Sequence, residues 1–210
     1  MLRSVVLTTV VATVLAASLT ACGGGDDADE RPAPEPAPTS AEDPGGLTAT
    51  DPGTGLEHGD AATLVWKPTT DLTGALDLTV EGVQERRASV FDGWLAGDSM
   101  QGARPYFVSV ALTNVGETDL AGQAVPLYLR DDRGRLGAPW TVGGDFTPCQ
   151  SGPLPEPFGA GASAEMCLVY LAPDAARIED MVFEPTEGYD PITWTGDVTG
   201  PPRVRLRSGR

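Results

Sequence analysis

The stretch Tyr106-Phe107-Val108-Ser109-Val110-Ala111-Leu112-Thr113-Asn114 decides the fold of this chain. Large apolar side chains alternate along it with smaller or more polar ones. Side chains of a β-strand point alternately to the two faces of a sheet, so strict alternation indicates a strand with one face against a core. The residues that follow, up to Gly116, have the Asn and Gly content that is typical of turns. The stretch therefore predicts a long strand that ends in a turn.

The same alternation recurs on both sides of this strand. It is seen at 76–80, 125–129 and 166–171, and shorter strands are expected at 62–67, 138–142, 180–184 and 191–195. Residues 174–180 suggest a single helical turn. Seven or eight short strands, separated by turns rich in Gly, Asn and Asp, predict an all-β fold and an antiparallel β-sandwich.

Three pieces of this pattern resemble a known family. The segment 105–120 is similar to the second strand and turn of immunoglobulin-like domains in bacterial lipoproteins. The segment 127–135 is similar to the next strand and its turn, and 158–173 to the fifth strand with its entry and exit. Over about 74–196 the chain thus resembles the DUF4352-like, telokin-like group of actinobacterial secreted proteins. The resemblance implies an immunoglobulin-like β-sandwich and no catalytic residues.

Aromatic residues mark the extent of the folded unit, since every one of them lies between Trp66 and Trp194. A single domain over 61–198 is predicted, which is an ordinary domain size. The preceding segment, 22–60, is rich in Pro, Gly and acidic residues and cannot bury enough apolar surface to offset its ordering entropy. It is expected to be a disordered acidic tether. Residues 199–210, with four arginines and no acid, are expected to form a basic C-terminal tail.

A short leader precedes the tether and ends in Leu19-Thr20-Ala21-Cys22, which resembles a bacterial lipobox. Arg3 and the apolar run 5–17 fit a secretory signal peptide. A transmembrane helix and a plain signal peptide cleaved near Ala21 are the alternatives, although 5–21 is barely long enough to span a bilayer. The lipobox implies removal of 1–21 and a diacylglyceryl anchor, with further acylation such as palmitate, on Cys22. Two or more acyl chains anchor a protein stably, so a lipoprotein on the extracytoplasmic face of the cell membrane is expected.

Cys149 and Cys167 remain once Cys22 is assigned to the lipid. In an oxidising compartment outside the cytoplasm, an even pair of cysteines predicts one disulfide. The intervening loop is rich in Pro and Gly, and the bridge would hold it in place. A redox role would favour Cys-x-x-Cys spacing, which is absent.

Several classes of chemistry are disfavoured by composition. His58 is the only histidine and lies in the predicted tether, which argues against Ser-His-Asp and Cys-His catalysis and against histidine-based zinc sites. A net charge of −16 disfavours nucleic-acid binding. Carboxylate pairs could act as in glycosidases, but acids this numerous form pairs by chance on solvated turns. The pairs considered are Asp131/Asp132, where calcium is a further hypothesis, Glu179/Asp180 and Glu184/Glu187. No enzymatic activity, cofactor or metal is predicted.

The connection 91–104 is longer than a hairpin requires, and it carries Trp94, Leu95 and Met100. Long loops on a rigid sandwich often carry binding function, and aromatic anchors are favoured at interfaces. These residues are the candidate binding loop. The alternative is that Trp94 closes the open end of the sandwich.

Two functions follow from these observations. The first is a monomeric, lipid-anchored interaction module that binds an envelope protein or polymer through loops or an edge strand. The alternative is a small-ligand or metal-binding lipoprotein accessory to transport. A deep, partly apolar pocket would favour the alternative, whereas a filled sandwich with exposed aromatic loops would favour the interaction module. The basic tail is expected to contact anionic lipid, a wall polymer or the acidic domain itself.

Overall fold

A computed structural model describes residues 46–94, 102–143 and 146–201. Ten strands lie in these ranges: β1 (Gly55–Glu57), β2 (Ala61–Thr69), β3 (Leu72–Glu85), β4 (Arg104–Asn114), β5 (Tyr128–Asp131), β6 (Leu136–Gly137), β7 (Ser163–Ala172), β8 (Ile178–Phe183), β9 (Ile192–Thr195) and β10 (Val198–Thr199). Short 3-10 turns lie at Ala88–Phe91 and Pro173–Ala175. Within the described ranges, no helix has the length and apolar character needed to cross a membrane.

The strands form two sheets. The first has the order β1-β9-β8-β5-β6, and the second has the order β10-β3-β4-β7, with β2 also paired to β3. Most pairs are antiparallel, while β1 with β9 and β10 with β3 are parallel. The predicted all-β sandwich is confirmed, with ten strands in the described residues in place of seven or eight. The additional strands include β1, β6 and β10, which are too short to show alternation.

The main core lies between the two sheets. The alternating strand β4 contributes Tyr106, Val108, Val110 and Leu112, all buried, as the sequence predicts. The opposite sheet contributes large side chains such as Phe183 and Trp194. Burying each such side chain contributes about 1.5–3 kcal/mol, so this face of β4 stabilises the sandwich directly.

A second, smaller cluster lies on the outer face of the second sheet. Phe107 and Val169, which alternate with the core residues of β4 and β7, are buried there beneath residues from two connections: Phe91, Val142, Phe146 and Cys149. This cluster explains why apolar residues such as Phe107 occur on the outer face of β4. They bind the connections to the sheet, whereas the core face binds the sheets to each other.

The folded unit begins earlier than residue 61. The backbone N–H of Thr50 donates to the carbonyl of Thr63 at 2.9 Å, and that of His58 donates to Thr195 at 2.9 Å. Residues 50–60 therefore belong to the sandwich, and their assignment to the tether is wrong. Backbone ladder bonds need no apolar side chains, so composition could not reveal them. The other predicted boundary, 198/199, falls inside β10.

Three local predictions also change. Val125 and Leu127 are buried, but the strand begins only at Tyr128. Residues 138–142 contribute one isolated bridge, between Trp140 and Val169, instead of a strand. The helical turn expected at 174–180 is a brief 3-10 turn with left-handed backbone at Asp174 (φ 55°), followed at once by β8.

Candidate functional site

Cys149 and Cys167 form a disulfide, as predicted, with their Cα atoms 5.2 Å apart. The bridge joins β7 to the connection between β6 and β7. Backbone contacts hold the same connection: the N–H of Trp140 donates to the carbonyl of Val169 at 2.7 Å, and the N–H of Val169 donates to Ser151 Oγ at 2.9 Å. The disulfide therefore completes the attachment of this connection to β7.

Three aromatic residues, Phe91, Phe107 and Phe146, pack together beside this attachment, and we call them the aromatic platform. Phe91 stacks on Phe146 with ring centroids 5.2 Å apart, and the edge of Phe107 meets Phe146 at 6.1 Å. All three rings are buried. Trp94 lies outermost, edge-on to Phe146 at 5.5 Å, and is 44% exposed.

These contacts place Trp94, one residue of the predicted binding loop. Trp94 packs on the platform, on the outer face of the second sheet, and is not among the residues of the main core. The alternative that it closes the end of the sandwich is therefore not supported. Leu95 and Met100 lie outside the described residues, as do Cys22 and residues 202–210.

A groove runs beside the platform on the same outer face. Its floor is a row of small residues in register across three strands, Gly82 on β3, Ser109 on β4 and Cys167 on β7. Pro148 lines it beside the disulfide, and the opposite side is lined by His58, Asp197 and Thr199. The groove has a volume of about 690 Å³ and is open to solvent. Four further grooves on the described surface have volumes of about 240–440 Å³.

His58 is fixed at the rim of the groove by its neighbours. The N–H of the next residue, Gly59, donates to the carbonyl of Val80 at 2.9 Å, which ties this turn to β3. The imidazole ring occupies the space beside Gly196. Burial lowers the pKa of His58 below its ordinary value of 6.5, an effect that the carboxylate of Asp197 partly opposes. The neutral imidazole is therefore favoured in the folded protein.

Charge in the groove is mainly negative. Glu81 and Asp197 line it, and Glu57 lines an adjoining groove with His58. In the described part of the chain, no lysine or arginine lines either groove. Arg86 brings a positive charge to one end, where its guanidinium lies 5.1 Å from the centre of the Phe107 ring.

Two of the acidic residues considered as catalytic or calcium-binding, Asp131 and Asp180, are paired with arginines. Asp131 is 1% exposed, and its Oδ1 accepts the backbone N–H groups of Arg133 and Arg135, at 2.9 and 3.0 Å. Its Oδ2 accepts Nε of Arg135 at 2.8 Å. Burial alone would raise the pKa of Asp131, but these hydrogen bonds outweigh it and leave the pKa lowered. The carboxylate caps its own turn, which leaves the calcium hypothesis without a ligand at Asp131.

In the second pair, Asp180 is equally committed to structure. Asp180 is buried, and both its oxygens accept hydrogen bonds from the guanidinium of Arg130 on the neighbouring strand. Glu179 is exposed, Glu184 is half-buried and Glu187 is exposed. Within the described residues, no group of three or more His, Cys, Asp and Glu side chains is placed to hold a metal ion.

Comparisons with known proteins add little to this geometry. No protein-family model matches the sequence, and no curated protein matches it. Among solved structures, the chain is similar to the yjhA protein from Bacillus subtilis, at 14% sequence identity and a TM-score of 0.37. The similarity covers 67% of this chain and 99% of that chain. At that TM-score it establishes neither a shared fold nor a shared function.

The sequence predicts the disulfide, which is confirmed, but does not predict the groove. The signal for its floor was present, because Ser109 is a small residue on the outer face of an otherwise well-defined strand. The register that aligns Gly82, Ser109 and Cys167 is a long-range property and has no local signature. The composition around His58 is typical of a tether, so the sequence gives no sign that this histidine lies at the rim of a groove.

Proposed function

We propose that this protein is a lipoprotein, anchored through Cys22 to the extracytoplasmic face of the cell membrane, whose β-sandwich binds another envelope protein or polymer. The lipobox-like leader supports the location. The resemblance to the DUF4352-like group of secreted proteins agrees with it and forms part of the same proposal. The protein acts as an interaction module, without catalysis of its own.

One observation carries the binding role: Trp94 is 44% exposed on a platform that is itself buried and held by a disulfide. A large aromatic side chain on a rigid base loses little conformational entropy when a partner covers it. Such residues are the usual energetic anchors of interfaces. Trp94 thus presents an exposed apolar contact on a fixed base.

The alternative, a small-ligand lipoprotein, is less well supported. Ligand pockets are usually concave, largely apolar and deep enough to bury most of the ligand. The cavities along the described chain are open grooves, and the space between the sheets is filled by side chains such as Leu78, Val110 and Trp194. A filled sandwich with an exposed aromatic loop is the arrangement expected of an interaction module.

Crosslinking in intact cells tests the proposal. The full-length protein, Trp94→Ala and the matched control Trp140→Ala are compared. Trp140 is also exposed, at 39%, but it lines a different groove. We expect a discrete crosslinked species that Trp94→Ala loses and Trp140→Ala keeps. Equal crosslinking by all three proteins contradicts the proposed interface.

The anchor requires its own measurement. Mass spectrometry of the N-terminal peptide from the membrane fraction is expected to show a chain that starts at an acylated Cys22. Cys22→Ser is expected to lose the acyl mass and membrane retention. An unmodified Cys22 in the exported protein would exclude lipid anchoring and leave the binding role to be tested separately.

A further inference from the structure

We infer that the groove on the outer face of the second sheet binds the chain's own basic tail, residues 202–210, in cis. The inference does not depend on the proposed function, because it concerns a contact within one chain. It rests on the shape of the groove floor, on the charge of its rim and on where the chain leaves β10.

The floor is an unpartnered sheet face that admits an extended segment. Gly82 has open space where a β-carbon would stand, and Ser109 is exposed. A glycine inside a strand often marks a place where another backbone approaches closely. Cys167 completes this row of small residues, while the larger Gln84 and Phe107 also line the groove.

The rim is complementary in charge to the tail. Glu81 and Asp197 line the groove, Glu57 adjoins it, and among the described residues the lining includes no lysine or arginine. Residues 202–210 carry four arginines and no acid. Arginine pairs well with carboxylates because its planar guanidinium can donate two parallel hydrogen bonds.

The sequence of the tail suits an extended conformation in this groove. Arg203, Arg205 and Arg207 alternate with Val204 and Leu206. In an extended segment the arginines share one face and the aliphatic residues the other. The arginines can then meet the acidic rim while Val204 and Leu206 lie on the floor beside Phe107 and the disulfide.

The exit of the chain makes this contact accessible. Asp197 and Thr199 belong to the groove lining, and the described chain ends two residues later at Pro201. Because β10 runs parallel to β3 towards Gln84, the tail must reverse direction to enter the groove. Nine residues reach about 30 Å when extended, whereas the floor spans about 10 Å from β3 to β7. Covalent attachment also gives the tail an effective concentration of roughly millimolar.

Tryptic cleavage within the tail tests the inference. Mass spectrometry follows the loss of tail residues from the full mature chain. The parent is compared with the groove variant Glu81→Gln/Asp197→Asn and with the charge-matched control Glu117→Gln/Glu187→Gln. The control residues are exposed and lie outside the groove. We expect the groove variant to be cut roughly three- to tenfold faster at low salt, and the control to match the parent. Parent and groove variant cut at equal rates would overturn the inference.

A second measurement separates docking in cis from a general attraction. A synthetic peptide of residues 201–210 is titrated into the parent and into the full-length chain carrying R203Q, R205Q, R207Q and R210Q. A tail already seated in the groove competes, so the quadruple variant is expected to bind the peptide several-fold more tightly. Equal affinities would show that the groove is vacant in the parent and would contradict the inference.

Discussion

The imidazole ring of His58 occupies the space that a β-carbon on Gly196 would need. His58 follows β1 and Gly196 follows β9, the two strands that pair in parallel at the edge of the first sheet. The absence of a side chain at 196 thus lets the histidine close the corner where the first sheet meets the groove.

Gly196→Ala is expected to force the His58 ring out of this position and to destabilise the protein by about 1–3 kcal/mol, the usual cost of overpacking. Gly200→Ala is the control, since a β-carbon there meets nothing within 4 Å. Chemical denaturation measures both. In a double-mutant cycle with His58→Ala, the two costs should be strongly non-additive, and additive costs would refute the contact.

Stability is expected to fall as the pH drops below 6.5, the ordinary pKa of histidine. Burial lowers the pKa of His58 in the folded state, with Asp197 opposing, so the unfolded chain takes up a proton before the folded one does. The contribution is complete above 6.5 and is lost as the pH falls towards the lowered value. The free energy of unfolding, measured across this pH range, should depend less on pH in His58→Gln than in the parent. An unchanged pH dependence would contradict the assignment.

Trp94→Ala is expected to leave the protein folded and to cost about 1 kcal/mol, mainly the aromatic pair with Phe146. Phe146→Ala is expected to cost about 3–5 kcal/mol, because that ring is buried and stacks on Phe91. Thermal unfolding of both variants checks the ranking. A Trp94 variant that unfolds would show that the tryptophan is a core residue after all.

Removal of the disulfide by Cys149→Ala/Cys167→Ala is expected to cost about 3 kcal/mol, from the loop of 18-residue separation that it closes. The parent in reductant should resemble the variant, and the variant itself should be insensitive to reductant. Hydrogen exchange should increase first at Val142 and Phe146, which the bridge holds to the sheet. Exchange that rises uniformly over the sandwich would contradict this local role.

Asp131→Asn is expected to destabilise the protein by about 1–3 kcal/mol, since it weakens a buried network of three hydrogen bonds. The pKa of Asp131 is lowered, so its contribution is present above 3.8 and is lost as the pH falls below that value. The variant should therefore lose less stability on acidification than the parent. Asp132→Asn, an exposed neighbour, is the control and should behave as the parent does.

The alternating strands could be predicted because their signal is local. In β4 the alternation from Tyr106 to Leu112 predicts the buried core face, and the structure departs from it only at Phe107, which is buried on the outer face. Val125 and Leu127 show the limit of that signal. Both are buried with the expected period, yet Pro126 between them has no N–H to donate to a ladder. The N–H of Leu127 instead donates to the carbonyl of Val125 at 2.8 Å, a tight turn, and the strand begins only at Tyr128.

The features missed depend on partners distant in sequence. β1 consists of Gly55-Leu56-Glu57 and owes its existence to β9, more than 130 residues later. The outer cluster is similar, because Phe107 becomes buried only when Phe146 is carried over it from another connection. The candidate groove depends on both of these long-range contacts. The register of its strands could not be predicted from either segment alone.

The parallel pairing of β1 with β9 has a mechanical consequence. A pull applied between the segment before β1 and the segment after β9 loads the two strands along their length in opposite directions. All three residue pairs, Gly55 with Thr193, Leu56 with Trp194 and Glu57 with Thr195, then resist in shear and must give way together instead of unzipping one at a time. β1 is short, but its parallel pairing with β9 is thus oriented to withstand tension along the chain.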